Sequence, residues 1–314
     1  MKKKLAKTII SFLLLWNVAL FSQNEQLIIG RTTGVLTINK NKKIRTFGFT
    51  KSLAAQVTLP GCTINAKVGD SIHLDFWNIS QGNPVSLYCK KIDFVQKDKN
   101  GEILIKNESI HHMEHGYYSF LAKKVGTYLY YSPENYPFNL QAGMFGVIII
   151  QPDNNNLQSQ MLTKEVLWCS HEIDSKWHTD TLMGTEYDSS NNPILIPKYT
   201  PNFFCINGQK IENIKGLLDK NNTSKSILLR LVNAGLYDHM IQFPAKVILE
   251  IKDDIDSVSI TELKYNKVTL AAGETLELLV NLKDTTTREN IIFQFIEPKS
   301  KKVSFKTTIP ILYN

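Results

Sequence analysis

The chain is short of the residues that transition metals use. Its 314 residues hold four cysteines and seven histidines, and no two histidines form an H-x-H pair. No C-x-x-C is present, which argues against a dithiol redox motif or a zinc ribbon. G-x-S-x-G, P-loop, H-E-x-x-H and G-x-G-x-x-G patterns are missing too, which removes the common hydrolase, NTPase, zincin and dinucleotide-binding chemistries. Asp253, Asp254 and Asp256 cluster, but without the glycine and closing glutamate of an EF-hand loop. Nothing nominates a carboxylate pair for glycoside hydrolysis. Past residue 23 no apolar run approaches the eighteen or so residues of a membrane span, so no transmembrane span is expected.

An excess of one charge is also scarce once the first residues are set aside. Lys2, Lys3, Lys4 and Lys7 precede an apolar stretch from Thr8 to Phe21, and Ser22-Gln23 follows. That is the pattern of a secretory signal peptide over residues 1–23, with no cysteine after it to carry a lipid. Taking away its four lysines lowers the formal charge from +7 to +3. The remaining lysines are spread among acids and form no basic, aromatic face, so no nucleic-acid partner is expected. The expectation is an exported protein, in the periplasm or on the surface of a bacterium. In that oxidising setting Cys62, Cys89, Cys169 and Cys205 allow two readings. They form bridges Cys62–Cys89 and Cys169–Cys205, one per domain, or remain four buried thiols.

What is there is short strands and turns. Ile72, Leu74 and Phe76 alternate with His73, Asp75 and Trp77, the period of a half-buried strand. Similar runs occupy 126–131, 145–151, 166–169, 227–232, 247–251, 268–270, 276–282 and 291–296. Pro60-Gly61, Gly69-Asp70, Asn100-Gly101, Asn207-Gly208 and Gly273-Glu274 punctuate them. This spacing predicts an all-β protein built of β-sandwiches. One modest helix is expected over Asn213 to Lys220. The polar stretch 153–160 is the expected linker between a domain at 24–152 and a second at 161–314.

Particular motifs carry the argument further. Leu59–Asn78, LPGCTINAKVGDSIHLDFWN, resembles the opening of a multicopper oxidase first domain, and Gly126–Gln151 resembles that domain's closing strands. In the second half FFCINGQ (203–209), LLRLVNAG (228–235) and LAAGETLELLV (270–280) are similar to further motifs of the same family, in the same order. The resemblance implies two tandem cupredoxin-like Greek-key sandwiches. It also implies copper ligands, and there the sequence departs from the family. The histidines of the family's H-W-H-G fall on Tyr88 and Lys90, and those of its H-x-H fall on Tyr131 and Pro133. Aligned with a type 1 copper loop, the thiolate position is Ser132 and the distal histidine position about Asn139. Only the axial methionine persists, as Met144. A thioether alone does not make a copper site. The last cysteine is Cys205 and the last histidine His239, so the family's third domain, with its closing H-C-H motif, is expected to be absent.

The expectation is therefore a copper-free, non-enzymatic binding or scaffold protein of the cell envelope. It would have no cofactor and an envelope protein as partner, with association to a membrane complex allowed. The alternatives are a copper-dependent oxidase with atypical ligands, or a copper or zinc carrier built on His111, His112 and His115. Consecutive residues on a turn preorganise a metal poorly, so an exposed turn is the plainer reading of that cluster. His171 and His178 fit no ligand spacing, His73 is expected as a surface residue beside Asp75, and His239 is expected to make a structural hydrogen bond. Tyr130, Tyr131, Tyr136 and Phe138, with Tyr88 facing them, have two readings. They fill the space of the lost metal site, or they present a docking surface to the partner.

Overall fold

In the computed structural model the described residues are 25–39, 42–152, 164–184, 195–219, 226–252, 265–282 and 289–313. The expected leader, the 153–160 linker and the Asp253–Asp256 cluster lie outside them. The first half carries β1 (Glu25–Asn39), β2 (Lys42–Thr50), β3 (Thr63–Lys67), β4 (Ser71–Asn78), β5 (Tyr88–Cys89), β6 (Val95–Lys97), β7 (His115–Leu121), β8 (Gly126–Tyr131), a short helix α1 (Phe138–Ala142) and β9 (Phe145–Gln151). The second half carries β10 (Glu165–Ile173), a short helix α2 (Asp180–Gly184), β11 (Phe203–Ile206), β12 (Gln209–Lys210), β13 (Leu218–Asp219), β14 (Ser226–Asn233), β15 (Asp238–Gln242), β16 (Val247–Ile251), β17 (Lys267–Leu270), β18 (Thr275–Leu282), β19 (Asn290–Ile296), β20 (Val303–Pro310) and β21 (Leu312–Tyr313).

The first half is a sandwich of two sheets, β2-β1-β4-β7-β6 facing β3-β9-β8-β5. Strand β4 shows why: Ile72, Leu74 and Phe76 point into the core, while His73, Asp75 and Trp77 point out. The second half stacks β12-β11-β10-β14-β18-β16 over β17-β15-β19-β20, with β13 and β21 pairing beside them. Among the described residues no sheet mixes strands from the two halves. Each half has its own core. Phe47, Phe49, Phe76, Tyr118 and Phe138 anchor the first, and Leu229, Leu278, Phe293 and Phe295 anchor the second. No helix among the described residues is long and apolar enough to cross a membrane.

Several expectations change here. The helix expected at Asn213 to Lys220 is a single 3-10 turn, Ile211–Asn213, followed by β13. Leu217 and Leu218 are both buried, so this stretch follows the sheet edge and does not coil. All four cysteines are free thiols, so neither expected bridge forms. Cys89, Cys169 and Cys205 are buried, and burial pushes the Cys89 thiol up to about 11, leaving it protonated and unreactive at neutral pH.

A seam joins the halves. Leu129 and Phe145 of the first half pack on Cys169 and Val232 of the second. Beside them Arg230 on β14 bonds Glu277 on β18, and its Nη1 also donates to Thr127 Oγ1 at 3.0 Å. Thr127 in turn donates to Glu277 at 2.6 Å, so β8 of the first half is tied into the ion pair of the second.

Candidate functional site

The loop between β8 and β9, residues 132–144, is where the family resemblance places its vacant ligand positions. Strand β5 lies against β8 with Tyr88 opposite Tyr131. The structure therefore brings the two vacant pairs together, although they are more than forty residues apart in sequence. Their rings meet edge to face at 5.3 Å, and Tyr136 approaches Tyr131 at 6.3 Å. Tyr88 is 40% exposed and Tyr136 58% exposed, with Tyr131 half-buried between them. Burial first, then the neighbouring phenols of Tyr88 and Tyr136, push the Tyr131 hydroxyl up to about 12, so it stays a neutral donor. Lys90 and Pro133 are exposed at the rim.

Of the four aromatics expected to dock a partner, two are ruled out for that role. Tyr130 and Phe138 are completely buried. Tyr130 stacks on Phe49 at 5.5 Å and donates to the Cys62 carbonyl at 2.6 Å, while Phe138 meets Phe47 at 5.8 Å. Both fill the core, the space-filling reading. The surface set is Tyr88 and Tyr136, with Tyr131 half-buried between them.

The same loop holds a carboxylate that was not singled out from the sequence. Glu134 accepts hydrogen bonds from the hydroxyls of Ser86, Ser109 and Ser132 and from the backbone N–H of Ser86. The Ser109 and Ser132 bonds measure 2.9 and 2.7 Å. Ser132 also receives Asn139 Nδ2 at 3.2 Å, and its backbone N–H donates to the Met144 carbonyl at 3.0 Å. Ser132, Asn139 and Met144 are all fully buried. The single charged residue of the 132–144 loop, right after Pro133, was the available signal.

These donors do not fit a copper ion. Phenols, of which Tyr131 has a raised pKa, a hydroxyl already bonded to Glu134, an amide and a single buried thioether offer neither thiolate nor imidazole. The carboxylate of Glu134, the one anionic oxygen pair present, is occupied by hydroxyl and amide donors.

The other histidines are dispersed. His111 and His112 are exposed on their turn, but His115 starts β7, where its Nδ1 lies 2.6 Å from Asp75 Oδ1 and its ring stacks on Trp77 at 5.3 Å. Asp75 thus pairs with His115, and His73, expected beside Asp75, lies 3.3 Å from Ser71 Oγ instead. His239 makes the structural bonds expected of it, 2.8 Å to Ser170 Oγ and 3.4 Å to Glu172. Glu172 is fully buried. Burial raises its pKa, but bonds from His239 and the Leu236 N–H outweigh that and hold the carboxyl below its usual value. The space it needs explains the N-A-G motif, since a Cβ on Gly235 would stand 2.1 Å from Glu172 Oε2.

His171 and His178 lie at the seam, both buried. His178 donates Nδ1–H to the Arg45 carbonyl at 2.7 Å and turns Nε2 to the Gln141 side chain at 3.1 Å. Among the described residues His171 has no hydrogen-bond partner on either nitrogen, and it packs against Phe145. Burial lowers both pKa values to about 4, so both rings are neutral at physiological pH. Among the described residues no three His, Cys, Asp or Glu side chains are arranged to hold a metal ion.

Comparison with known proteins agrees with this architecture. Residues 39–155 match the sequence model of a multicopper oxidase family. No curated protein gives a significant sequence match. Among solved structures, the blue copper oxidase from Nitrosomonas europaea shares the fold at TM-score 0.62 and 17% identity, over 91% of this chain and 85% of that one. The copper nitrite reductase from Nitrosomonas europaea superposes at TM-score 0.60 and 16% identity, covering 91% and 93%. A multi-copper oxidase from Pseudomonas thermotolerans gives 0.62 and 13%, covering 93% of this chain and 64% of its own. Over residues 39–155 the sequence is similar to a multicopper oxidase family, and both halves share the cupredoxin-like fold of these copper proteins.

Proposed function

We propose that the chain is a copper-free, non-enzymatic binding or scaffold protein of a bacterial cell envelope. One observation carries this reading. The loop positions where the superfamily resemblance expects ligands hold a closed Glu134–serine network under a cover of Tyr88, Tyr131 and Tyr136. Two of the three tyrosines stay substantially exposed, with amphipathic rings of the type that anchors protein interfaces. A network that satisfies its own carboxylate also holds the loop in one shape, which favours recognition over chemistry. The partner is an envelope protein that lays an apolar or aromatic surface on the tyrosines.

The test is affinity capture from native envelope with the wild type and with a Tyr88→Ser/Tyr136→Ser variant. A partner retained by the wild type and lost by the variant, at unchanged Tm, is the expected result. Copper-dependent oxygen uptake with a phenolic substrate by the copper-loaded protein would overturn the reading in favour of an oxidase with atypical ligands.

A further inference from the structure

The outer edge of the first sandwich is apolar where sheet edges are ordinarily polar. The Asn100-Gly101 turn, with Gly101 at φ 87°, folds residues 102–106 (Glu-Ile-Leu-Ile-Lys) back beside edge strand β6. Ile103 bridges antiparallel to Lys97 there. Flanking that bridge, Asp98 N–H donates to the Glu102 carbonyl at 2.9 Å and Leu104 N–H to the Gln96 carbonyl at 3.0 Å. Ile103 and Lys97 are therefore a non-hydrogen-bonded pair, and the N–H and C=O of Ile103 point away from the sheet. Ile103 is 67% exposed, and Val95, on the same face of β6 as Lys97, is 36% exposed. The chain bends at Ile105 and Lys106, and the Ile105 side chain stands wholly in solvent. Glu102 and Lys106 are exposed at the two ends, and neither forms an ion pair among the described residues. An unpaired backbone edge beside exposed isoleucines recruits another strand, so folded proteins ordinarily avoid it.

We propose that this edge pairs with a second copy of the same chain. Residues 102–106 are complementary to themselves when read in opposite directions. Antiparallel pairing about a two-fold axis at Leu104 sets Glu102 against the partner's Lys106 and Lys106 against the partner's Glu102. Ile103 then faces the partner's Ile105, and its outward N–H and C=O gain bonding partners. Opposite charges and apolar pairs set directly across from each other are what stabilises neighbouring strands. Charge also fixes the register. A slip of two residues one way sets Glu102 against the partner's Glu108, and a slip the other way leaves both ends without an ion pair. So short an edge makes a weak, concentration-dependent dimer. None of these residues belongs to the tyrosine loop, so the edge stands or falls independently of the copper-free reading.

Sedimentation equilibrium of the whole protein over a concentration series, with both charge reversals, tests the proposal. The wild type should show a reversible monomer–dimer equilibrium. Glu102→Lys sets lysine against lysine at both ends of the pairing, and Lys106→Glu sets acid against acid. Each variant alone should therefore dimerise about tenfold more weakly or worse. Both residues are exposed, so the Tm of the dilute protein should not change. Mixing the two variants restores both ion pairs in a heterodimer, and Glu102→Lys/Lys106→Glu restores them in a homodimer, so both should associate as the wild type does. A wild type that stays monomeric at its highest soluble concentration would overturn the assignment. So would a dimer that the single reversals leave intact, or a mixture that associates no better than its components.

Discussion

In the first sandwich the sheet order β2-β1-β4-β7-β6 is matched, strand for strand, by β11-β10-β14-β18-β16 in the second. The joins match as well: β1 with β4 and β10 with β14 are parallel, and the remaining neighbours are antiparallel. Corners repeat too. Asn78 ends β4 and donates to the carbonyls of Asn83 and Ile110 at 2.8 and 2.7 Å, while its Oδ1 accepts from Ser80 N at 2.9 Å. Asn233 ends β14 and donates to those of Tyr237 and Leu270 at 2.8 and 3.1 Å, accepting from Gly235 N at 2.9 Å. The turns that face these corners agree. Glu114 accepts from His111 N at 3.1 Å and Glu274 from Ala271 N at 2.9 Å. The histidine cluster is thus a decorated copy of the A-A-G-E turn, and its one carboxylate already has a structural task.

The halves also differ, and one difference lies in the tyrosine loop. Between β8 and β9 the first half inserts residues 132–144 with Glu134, Asn139 and α1. The equivalent connection in the second half, between β19 and β20, is a tight turn closed by Glu297, which accepts from the N–H groups of Lys299 and Ser300. The framework is used twice and the elaborated loop once.

The largest expected effect tests the shared framework. Asn78→Ala and Asn233→Ala each strand two buried carbonyls and an N–H, at about 3 kcal/mol or more per corner. Denaturant unfolding should show similar losses for the two. A large loss at one corner only would mean that the corners are not equivalent.

Next in size is an effect that belongs to neither half alone. His171 and His178 are held near a pKa of about 4, against an ordinary value of 6.5. Protonation therefore favours the unfolded chain. Their contribution is complete above pH 6.5 and is lost as pH falls from there through 4, by at most about 3 kcal/mol for each ring. Unfolding free energies measured across that window should fall with acid, and His171→Leu should flatten the slope. An unchanged slope in that variant would remove His171 from the account.

Smaller and more local is Glu134→Gln. An amide replaces the carboxylate that accepts three hydroxyl donors, so about 1–2 kcal/mol should be lost. Hydrogen exchange should quicken in the 132–144 loop and not at the 297–302 turn. Smallest is the backbone comparison of the two turns. Met113 has φ 65°, where its counterpart Gly273 has φ 79°. Met113→Gly should stabilise by up to about 1 kcal/mol, because the exposed Met113 side chain buries little, and Gly273→Ala should cost about as much. Thermal melts of both variants would show the opposite signs.

Much of this plan is legible in the sequence because half-buried strands alternate. The expected strands at 126–131, 145–151 and 247–251 have the observed bounds. Strand β1 escaped because a bulge between Arg31 and Gly34 shifts the register and breaks the period of two, and β2 because Thr46–Thr50 is buried on both faces. β20 escaped because it is an edge strand with mostly exposed residues and no apolar alternation to find. The Glu134 network was not legible, since Ser86 and Ser109 reach it across 48 and 25 residues of chain and only the folded sheets bring them together. Arg230 and Glu277 did leave a signal, as charges set within apolar strand runs. Their partnership needed the β14–β18 register, which places them directly opposite.

The proposed function requires a first loop that keeps the cupredoxin frame without holding copper. Elemental analysis of the purified protein, after loading with excess copper and exhaustive dialysis, tests it most directly. Copper well below one atom per chain and no thiolate-to-copper charge-transfer band are the expected result. Stoichiometric copper that survives dialysis and disappears on substitution of Met144 would contradict it.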